Sequence, residues 1–381
     1  MNFQYHLPVN LIFGRGKIAE VGTLASACGR KVFLVTGKGS VKKTGLLNLI
    51  CRKLEEAGLT VVLFDGVESN PLTTTAMNGA RKCRAEGCDM VLAAGGGSAL
   101  DCAKAIAFLS VNDGDINEYI FGQRFGDSAL PLLLVPTTCG TGSEGNGFAV
   151  LTNPDTGDKK SLRSTALIPN ISVVDSSLME SMPRRVLASV GFDALCHAIE
   201  AYLARTAQPI SDAMALEAVE LLGRHLPALF SGNATEEDWD CVTLASTIGG
   251  MVIGIAGVTL PHAMEHPVSG LKDIPHGQGL AALIPAITSI SVQRAQDRAV
   301  LDKYRRISRA LGGKSERDCA AQLNSILTQI DLETSLSQLG ILETDIPWLT
   351  ANCLKVSAAS VKNHPVPFSA EDITQLYHIA Y

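Results

Sequence analysis

A chain of 381 residues, 46% hydrophobic and 18% charged, is long enough for two ordinary domains with sizeable cores. Its formal charge of -6 leaves no basic stripe to neutralise phosphates, which argues against a nucleic-acid surface. No apolar run approaches the roughly 20 residues of a membrane span, and MNFQYHLPVNLIFG has no basic head before an apolar stretch, so neither a membrane segment nor an export signal is expected.

Near the N-terminus, GRGKIA from Gly14 fits the G-x-G-x-x-A dinucleotide pattern. No acidic strand end follows at the distance such a fingerprint requires, so Phe13 to Gly16 reads as a turn leaving a first strand or hairpin. Buried strands are then expected at KVFLVT from Lys31, TVVLFD from Thr60, DMVLAA from Asp89, LPLLLVP from Leu130 and ISVVD from Ile171. Helical patterns lie between them, as at Leu46 to Ala57 and Thr73 to Glu86. That rhythm implies a parallel sheet covered on both faces, with ligands at the carboxyl ends of the strands.

Three polar or glycine-rich loops fall at those ends: TGKGSVKKTG from Thr36, GGGSALDCAK from Gly95 and PTTCGTGSE from Pro136. The glycines remove side chains that would keep backbone amides from a pyrophosphate, and the helix start that follows offers amides and a favourable dipole end. Ser98 and Asp101 read as a capping signature there. Together the loops suggest an extended, phosphorylated ligand.

Beyond about residue 180 the strands give way to helices. The boundary divides an α/β domain, residues 1–180, from an all-helical domain, residues 181–381. PISDAMALEAVELL places Pro209 at a helix start, and STIGGMVIGIAGVTLPHAMEH from Ser246 reads as one central buried helix. The ten cysteines form no C-x-x-C pair, as expected of reduced thiols in a cytoplasmic protein; Cys196 is read as packing.

The chemistry concentrates in GFDALCHAIE, where Asp193 and His197 stand four residues apart on one helix face. His262 and His266 in PHAMEHP repeat the spacing, and His276 follows in IPHGQG. Five donors in an otherwise apolar or small-residue context suit a catalytic metal site, since His and carboxylate ligands commonly combine there.

With these motifs in hand, the chain resembles the iron-dependent (metal-containing) alcohol dehydrogenase family almost end to end, from FGRG through GGGSALDCAK, TTCGTGSE, GFDALCHAIE, PHAMEHPVSG and PHGQG to EDITQLYHIAY. The resemblance implies a Rossmann-like N-terminal domain and an all-α C-terminal domain, the architecture shared with dehydroquinate synthase. It implies metal ligands at Asp193, His197, His262 and His276, and a catalytic-site histidine, not a ligand, at His266. Gly96, Gly97, Ser98 and Asp101 match phosphate-contacting positions, Thr137, Thr138 and Thr141 the cofactor-binding hydroxyls, and Asn70 and Lys160 further cofactor positions whose spacing admits a shift of one residue.

The implied activity is hydride transfer between NAD(P)(H) and a small alcohol or aldehyde, with a metal as Lewis acid: iron(II), with zinc or manganese compatible with the same donors. A glycerol-type polyol dehydrogenase and a dehydroquinate-type synthase share the layout, and a nucleotide sensor without turnover is a further alternative. A homodimer or larger homo-oligomer is usual for such proteins. One departure concerns the cofactor: many members carry an Asp at the first strand end, where this chain has Gly37 followed by Ser40, Lys42 and Lys43. Loss of that carboxylate removes repulsion against a 2′-phosphate, which Ser40 and Lys43 are placed to bind, so NADP(H) is expected over NAD(H). The alternative is that the two lysines form a solvated face.

Overall fold

The structure, a computed structural model, describes residues 2–381. It contains two compact units, Leu7–Met182 and Pro183–Tyr381, the second joined by the N-terminal segment up to His6. That segment was expected with the α/β half. It groups with the helices, where Gln208 Nε2 donates to the carbonyl of Gln4 at 3.2 Å.

The first unit is built on a six-stranded sheet: β1 (Asn10–Phe13), β2 (Lys31–Gly37), β3 (Thr60–Val67), β4 (Met90–Gly95), β5 (Leu132–Pro136) and, after a separate hairpin, β8 (Ile171–Val174). The order is β1-β8-β5-β4-β2-β3, and every neighbour is parallel. Parallel strands covered on both faces carry continuous apolar runs. Accordingly Val32, Leu34, Met90 and Leu92 pack with Ile50 and Leu54 on one side, while Phe33, Val35, Val91 and Ala93 pack with Ala76 and Ala80 on the other. No hairpin follows β1; it runs parallel to β8, closing the edge of the sheet. The antiparallel pair β6 (Phe148–Thr152) and β7 (Lys159–Arg163) was not anticipated, because FAVLT and KKSLR lack a clear pattern.

From β2 onward the sheet has the 2-1-3-4-5 order of doubly wound folds, whose switch point lies between the first and third strands. Here those strands are β2 and β4, paired up to Thr36 and Ala94. The loops that leave them, at Gly37 and Gly95, therefore diverge at the place where such sheets receive ligands.

The second unit is helical. The helix Arg184–Leu203 is buried on nearly all sides from Leu187 onward, and packs with Pro209–Ala228 and Glu236–Ala256. Small residues let the backbones close in: a methyl at Gly191 would lie 2.5 Å from Leu226, and one at Gly249 would lie 3.3 Å from the carbonyl of Ala194. Two of these helices, Arg184–Leu203 and Glu236–Ala256, have mean hydropathies of 1.3 and 1.4 and are long and apolar enough to cross a membrane. That corrects the expectation of no such run. In the first, 89% of the apolar stretch is buried against the rest of the protein, which is why its composition is so apolar.

The stretch from Ser246 to His266 is not one helix. Glu236–Ala256 stops at Gly257, whose φ of 69° favours glycine, and a new helix, Leu260–Lys272, begins after Thr259 with Pro261 in its first turn. This break frees His262 to turn toward the helix Arg184–Leu203.

Candidate metal centre and cofactor loops

Three separate segments bring imidazoles to one carboxylate oxygen. Asp193 Oδ1 lies 3.6 Å from His197 Nε2 on its own helix, 3.4 Å from His262 Nε2 on the helix Leu260–Lys272, and 3.7 Å from His276 Nε2 at the first turn of the helix His276–Arg294. These separations are long for hydrogen bonds. They match the edge of a tetrahedron whose centre-to-donor distance is about 2.1 Å, roughly 3.4 Å. The donor atoms of Asp193, His262 and His276 all lie within 4.8 Å of one another. His197 completes the group by stacking on His262, with centroids 4.6 Å apart.

The arrangement could hold a cation. Asp193 and His262 are each 2% exposed, yet Asp193 Oδ1 and His262 Nε2 have no hydrogen-bond partner of acceptable geometry. Buried polar atoms are almost always satisfied, and orphans facing each other across one small volume point to an ion between them. Burial opposes ionisation of Asp193, but His197, His276 and His262 outweigh it and hold the carboxyl well below its ordinary range. Burial pushes the His197 imidazole down to about 4, which keeps a nitrogen lone pair available. The donor set, one carboxylate and three imidazoles, suits a divalent cation with further positions open.

Two glutamates the sequence reading passed over stand behind these imidazoles. Glu200, 1% exposed, accepts from His262 Nδ1, from Thr259 N at 2.7 Å and from Thr259 Oγ1 at 3.0 Å. Burial disfavours charge on His262, but Glu200 and Asp193 draw it upward. A cation at Nε2 would displace only the proton on that side, leaving Nδ1–H on Glu200. Glu265, 0% exposed, pairs with His276 Nδ1. Both were detectable as lone acids in apolar helical surroundings, Glu200 three residues beyond His197 and Glu265 three beyond His262. His266 is half-buried, its ring 6.2 Å from that of His262 and 5.6 Å from that of His276, so it borders the cluster without joining the Asp193 group.

The polar chain continues inward. His364 Nδ1 meets Thr259 Oγ1 at 3.3 Å and His364 Nε2 meets Ser291 Oγ at 2.9 Å. Because Thr259 donates to Glu200, the consistent assignment is a neutral ring that donates through Nδ1 and accepts through Nε2. Burial pushes this imidazole down to about 4. The unfolded chain takes up a proton near 6.5 while the fold refuses it, so stability present above 6.5 is lost as pH falls toward about 4, on the order of 3 kcal/mol in all. In His364→Asn, the fall in Tm between pH 7 and pH 5 should be smaller than in the parent; parallel curves would show that His364 is not responsible.

The first unit assembles the three loops expected at its strand ends. A side chain at Gly96 would lie 3.2 Å from Thr138 Oγ1, and one at Gly97 would lie 2.4 Å from Thr141 Cγ2, so bare backbone lets the loops after β4 and β5 touch. Thr137 N donates to the carbonyl of Gly95 at 2.9 Å. The helix Gly97–Leu109 starts at Gly97 with Gly96 as its cap, which corrects the capping signature: Ser98 is already inside the first turn. Its hydroxyl donates instead to the carbonyl of Ser69.

Asp101 is likewise engaged internally, accepting from Ser143 Oγ at 2.6 Å and Val150 N at 2.9 Å. One turn on, the fully buried Lys104 donates to the carbonyls of Ser143, Asn146 and Phe148 at 2.5, 2.8 and 2.9 Å. Burial pulls its ammonium down to about 8, against the nearby Asp101 and Glu144. Asp101 and Lys104 thus hold the loop that follows β5 in place. The cation beside Asn70 is Lys159, 3.1 Å from Asn70 Oδ1, whereas Lys160 lies over the ring of Phe121 at 4.6 Å. Adjacent residues of a strand face opposite sides, so the assignment to Lys160 is corrected by one position. At the end of β2, Lys42 pairs with Asp65, and Gly37 has only the carbonyl of Val67, at 3.7 Å, near the place a side chain would occupy.

A doubly wound sheet with glycine loops, joined in sequence to helices that gather one carboxylate and three imidazoles, defines a metal- and nucleotide-dependent oxidoreductase. Residues 8–176 match the family model for iron-containing alcohol dehydrogenase, and residues 187–381 that for the C-terminal part of the Fe-containing alcohol dehydrogenase family. The chain belongs to the iron-containing alcohol dehydrogenase family. It is 32% identical to the 1,3-propanediol dehydrogenase of Klebsiella pneumoniae, covering 100% of this chain and 99% of that one. An archaeal halo-thermophilic alcohol dehydrogenase from a Red Sea brine pool superposes with a TM-score of 0.93 at 31% identity, over 100% of this chain and 99% of that one. Relatives of both cofactor habits match. An NAD-dependent methanol dehydrogenase of Bacillus methanolicus is 28% identical, over 98% of each chain. An NADPH-dependent butanol dehydrogenase of Clostridium saccharobutylicum is 30% identical, over 90% of this chain and 88% of that one. The protein is an NAD(P)-dependent alcohol dehydrogenase whose family uses iron and acts on small alcohols or aldehydes.

Proposed function

We propose that this enzyme interconverts a small alcohol and its aldehyde, with NADP(H) preferred over NAD(H), at one iron(II) held by Asp193, His197, His262 and His276. The observation that carries the reading is the group of unsatisfied buried donors around Asp193 Oδ1. When bound, the cation would supply Lewis acidity to the substrate oxygen and the nicotinamide would exchange the hydride. Asp193 contributes the one anionic donor, and the three Nε2 atoms the neutral ones. Glu200 keeps the His262 proton on Nδ1 and so leaves Nε2 open. His266, half-buried beside the ligands, is placed to carry a proton between solvent and the substrate oxygen.

Gly96, Gly97 and Ser98 offer backbone amides of a helix start to the cofactor phosphates, with Thr137, Thr138 and Thr141 beside them. Asn70 and Lys159 flank the same loops. Asp101 acts by fixing the loop after β5. Ser40 and Lys43 would bind the 2′-phosphate, Lys42 being engaged by Asp65. A homo-oligomer and a cytoplasmic location belong to the same reading; the family resemblance and the absence of any C-x-x-C pair among the ten cysteines support them.

The reading is tested by assaying a panel of small aldehydes with NADPH and NADH on protein of measured metal content, before and after exhaustive chelation. Turnover should track bound metal and return on adding iron(II); full activity without metal would refute it. Cofactor preference has its own test in Gly37→Asp, which the local space accommodates. The ratio of kcat/KM for NADPH over NADH should fall about 10- to 100-fold, the worth of one charged hydrogen bond gained to the ribose of NADH and a repulsion gained against the 2′-phosphate of NADPH. An unchanged ratio, or a parent that favours NADH, would count against the assignment.

A further inference from the structure

We infer that Glu265 is a positioning residue for His276: it accepts the Nδ1 proton, fixes the ring with Nε2 open to the cation, and thereby strengthens metal binding. The inference rests on the metal-centre reading above. Glu265 is 0% exposed; its Oε2 lies against His276 Nδ1 as an ion pair and accepts from Ser269 Oγ at 3.3 Å, while neither His276 Nδ1 nor Glu265 Oε1 has a partner of hydrogen-bond geometry. A carboxylate taken this far from water is costly unless paired. Among the described residues, His276 is its ion-pair partner.

The surrounding fold is shaped to admit this group. A methyl at Gly279 would lie 2.7 Å from Glu265 Oε1, so the helix His276–Arg294 passes the carboxylate with a bare backbone one turn after His276 itself. The placement mirrors the other side of the centre, where Glu200 takes the Nδ1 side of His262. An imidazole that binds a cation through Nε2 must carry its proton on Nδ1, and a carboxylate acceptor there settles the tautomer, the ring orientation and the basicity together. Without Glu265, His276 would exchange tautomers and rotate. It is the most solvent-exposed of the three imidazole donors, with a side chain 23% exposed against 7% for His197 and 3% for His262, and therefore the one that most needs an anchor.

The test uses cobalt(II) added to metal-free full-length protein, with affinity measured by competition against a chromophoric chelator and coordination followed by the visible d–d bands. Glu265→Ala should weaken cobalt(II) binding about 10- to 100-fold, and the isosteric Glu265→Gln, which keeps an acceptor but not the charge, by about three- to tenfold. The bands should shift in both variants, while Tm of the metal-free protein stays level or rises. Affinities within about twofold of the parent, or unchanged bands, would overturn the inference. So would failure of both metal-free variants to fold, which would make Glu265 a packing group. A parent that binds two ions, falling to one in Glu265→Gln, would also overturn it by making Glu265 a ligand. If the parent binds no cobalt(II), the metal-centre reading itself falls.

Discussion

Asp193→Asn is expected to leave a folded protein that no longer holds its cation and turns over small aldehydes at least about 1,000-fold more slowly, the several kcal/mol a Lewis acid supplies. Asn has the shape of Asp but not its charge, so packing around the helix Arg184–Leu203 is kept. The cluster loses its only anionic donor, and Oδ1 is the atom all three imidazoles approach, at 3.4 to 3.7 Å. Thermal stability gives an independent readout. Cation at 100 times its Kd stabilises the parent by about 2.7 kcal/mol, and that increment should vanish in Asp193→Asn. A variant with normal metal content or near-normal kcat would show that the carboxylate is not a ligand.

Gly277→Ala should be nearly as damaging, although Gly277 has no side chain to offer the cation. A methyl there would sit 1.9 Å from the carbonyl oxygen of Ser189, a backbone atom on the buried helix Arg184–Leu203 that cannot swing aside. The start of the helix His276–Arg294 must retreat, and His276, the preceding residue, goes with it. A displacement of about 1 Å at a catalytic group commonly costs 100-fold in rate, and overpacking costs about 1–3 kcal/mol of stability. Weakened metal binding and a roughly 100-fold loss of kcat/KM are therefore expected together. Gly66→Ala is the control, since a methyl there meets nothing within 4 Å. Parent-like metal affinity in Gly277→Ala would mean the helix start has more room than the structure allows.

The parts of the fold that could be read from residues are those in which one physical cause acts alone. Strands β2, β4, β5 and β8 are buried on both faces or nearly so, and unbroken apolar runs announce them, while the edge strand β3 shows the same kind of run although it is only half-buried. Asp193 and His197 could be placed on one face because a helix repeats every 3.6 residues. The misreadings arise where causes compete. The run Ser246 to His266 is apolar almost throughout, yet a single glycine of positive φ at 257 divides it, and the division is what aims His262. Lys159 and Lys160 are equivalent by composition, and only strand register decides which one meets Asn70. Asp101 matches a phosphate-contacting position of a glycine loop, but its carboxylate is engaged by Ser143 Oγ and Val150 N of the neighbouring segment. Glu200 and Glu265 stand out in the sequence only as lone acids in apolar helical runs; which imidazole each supports is set by tertiary packing, which puts them behind His262 and His276.

The most direct measurement is an anomalous-scattering map at the iron edge from crystals of enzyme loaded with iron(II) and shown to be active. One peak should appear within about 2.0–2.3 Å of Asp193 Oδ1 and of Nε2 of His197, His262 and His276. A peak elsewhere, or fully active crystals with no ion among these four side chains, would contradict the account.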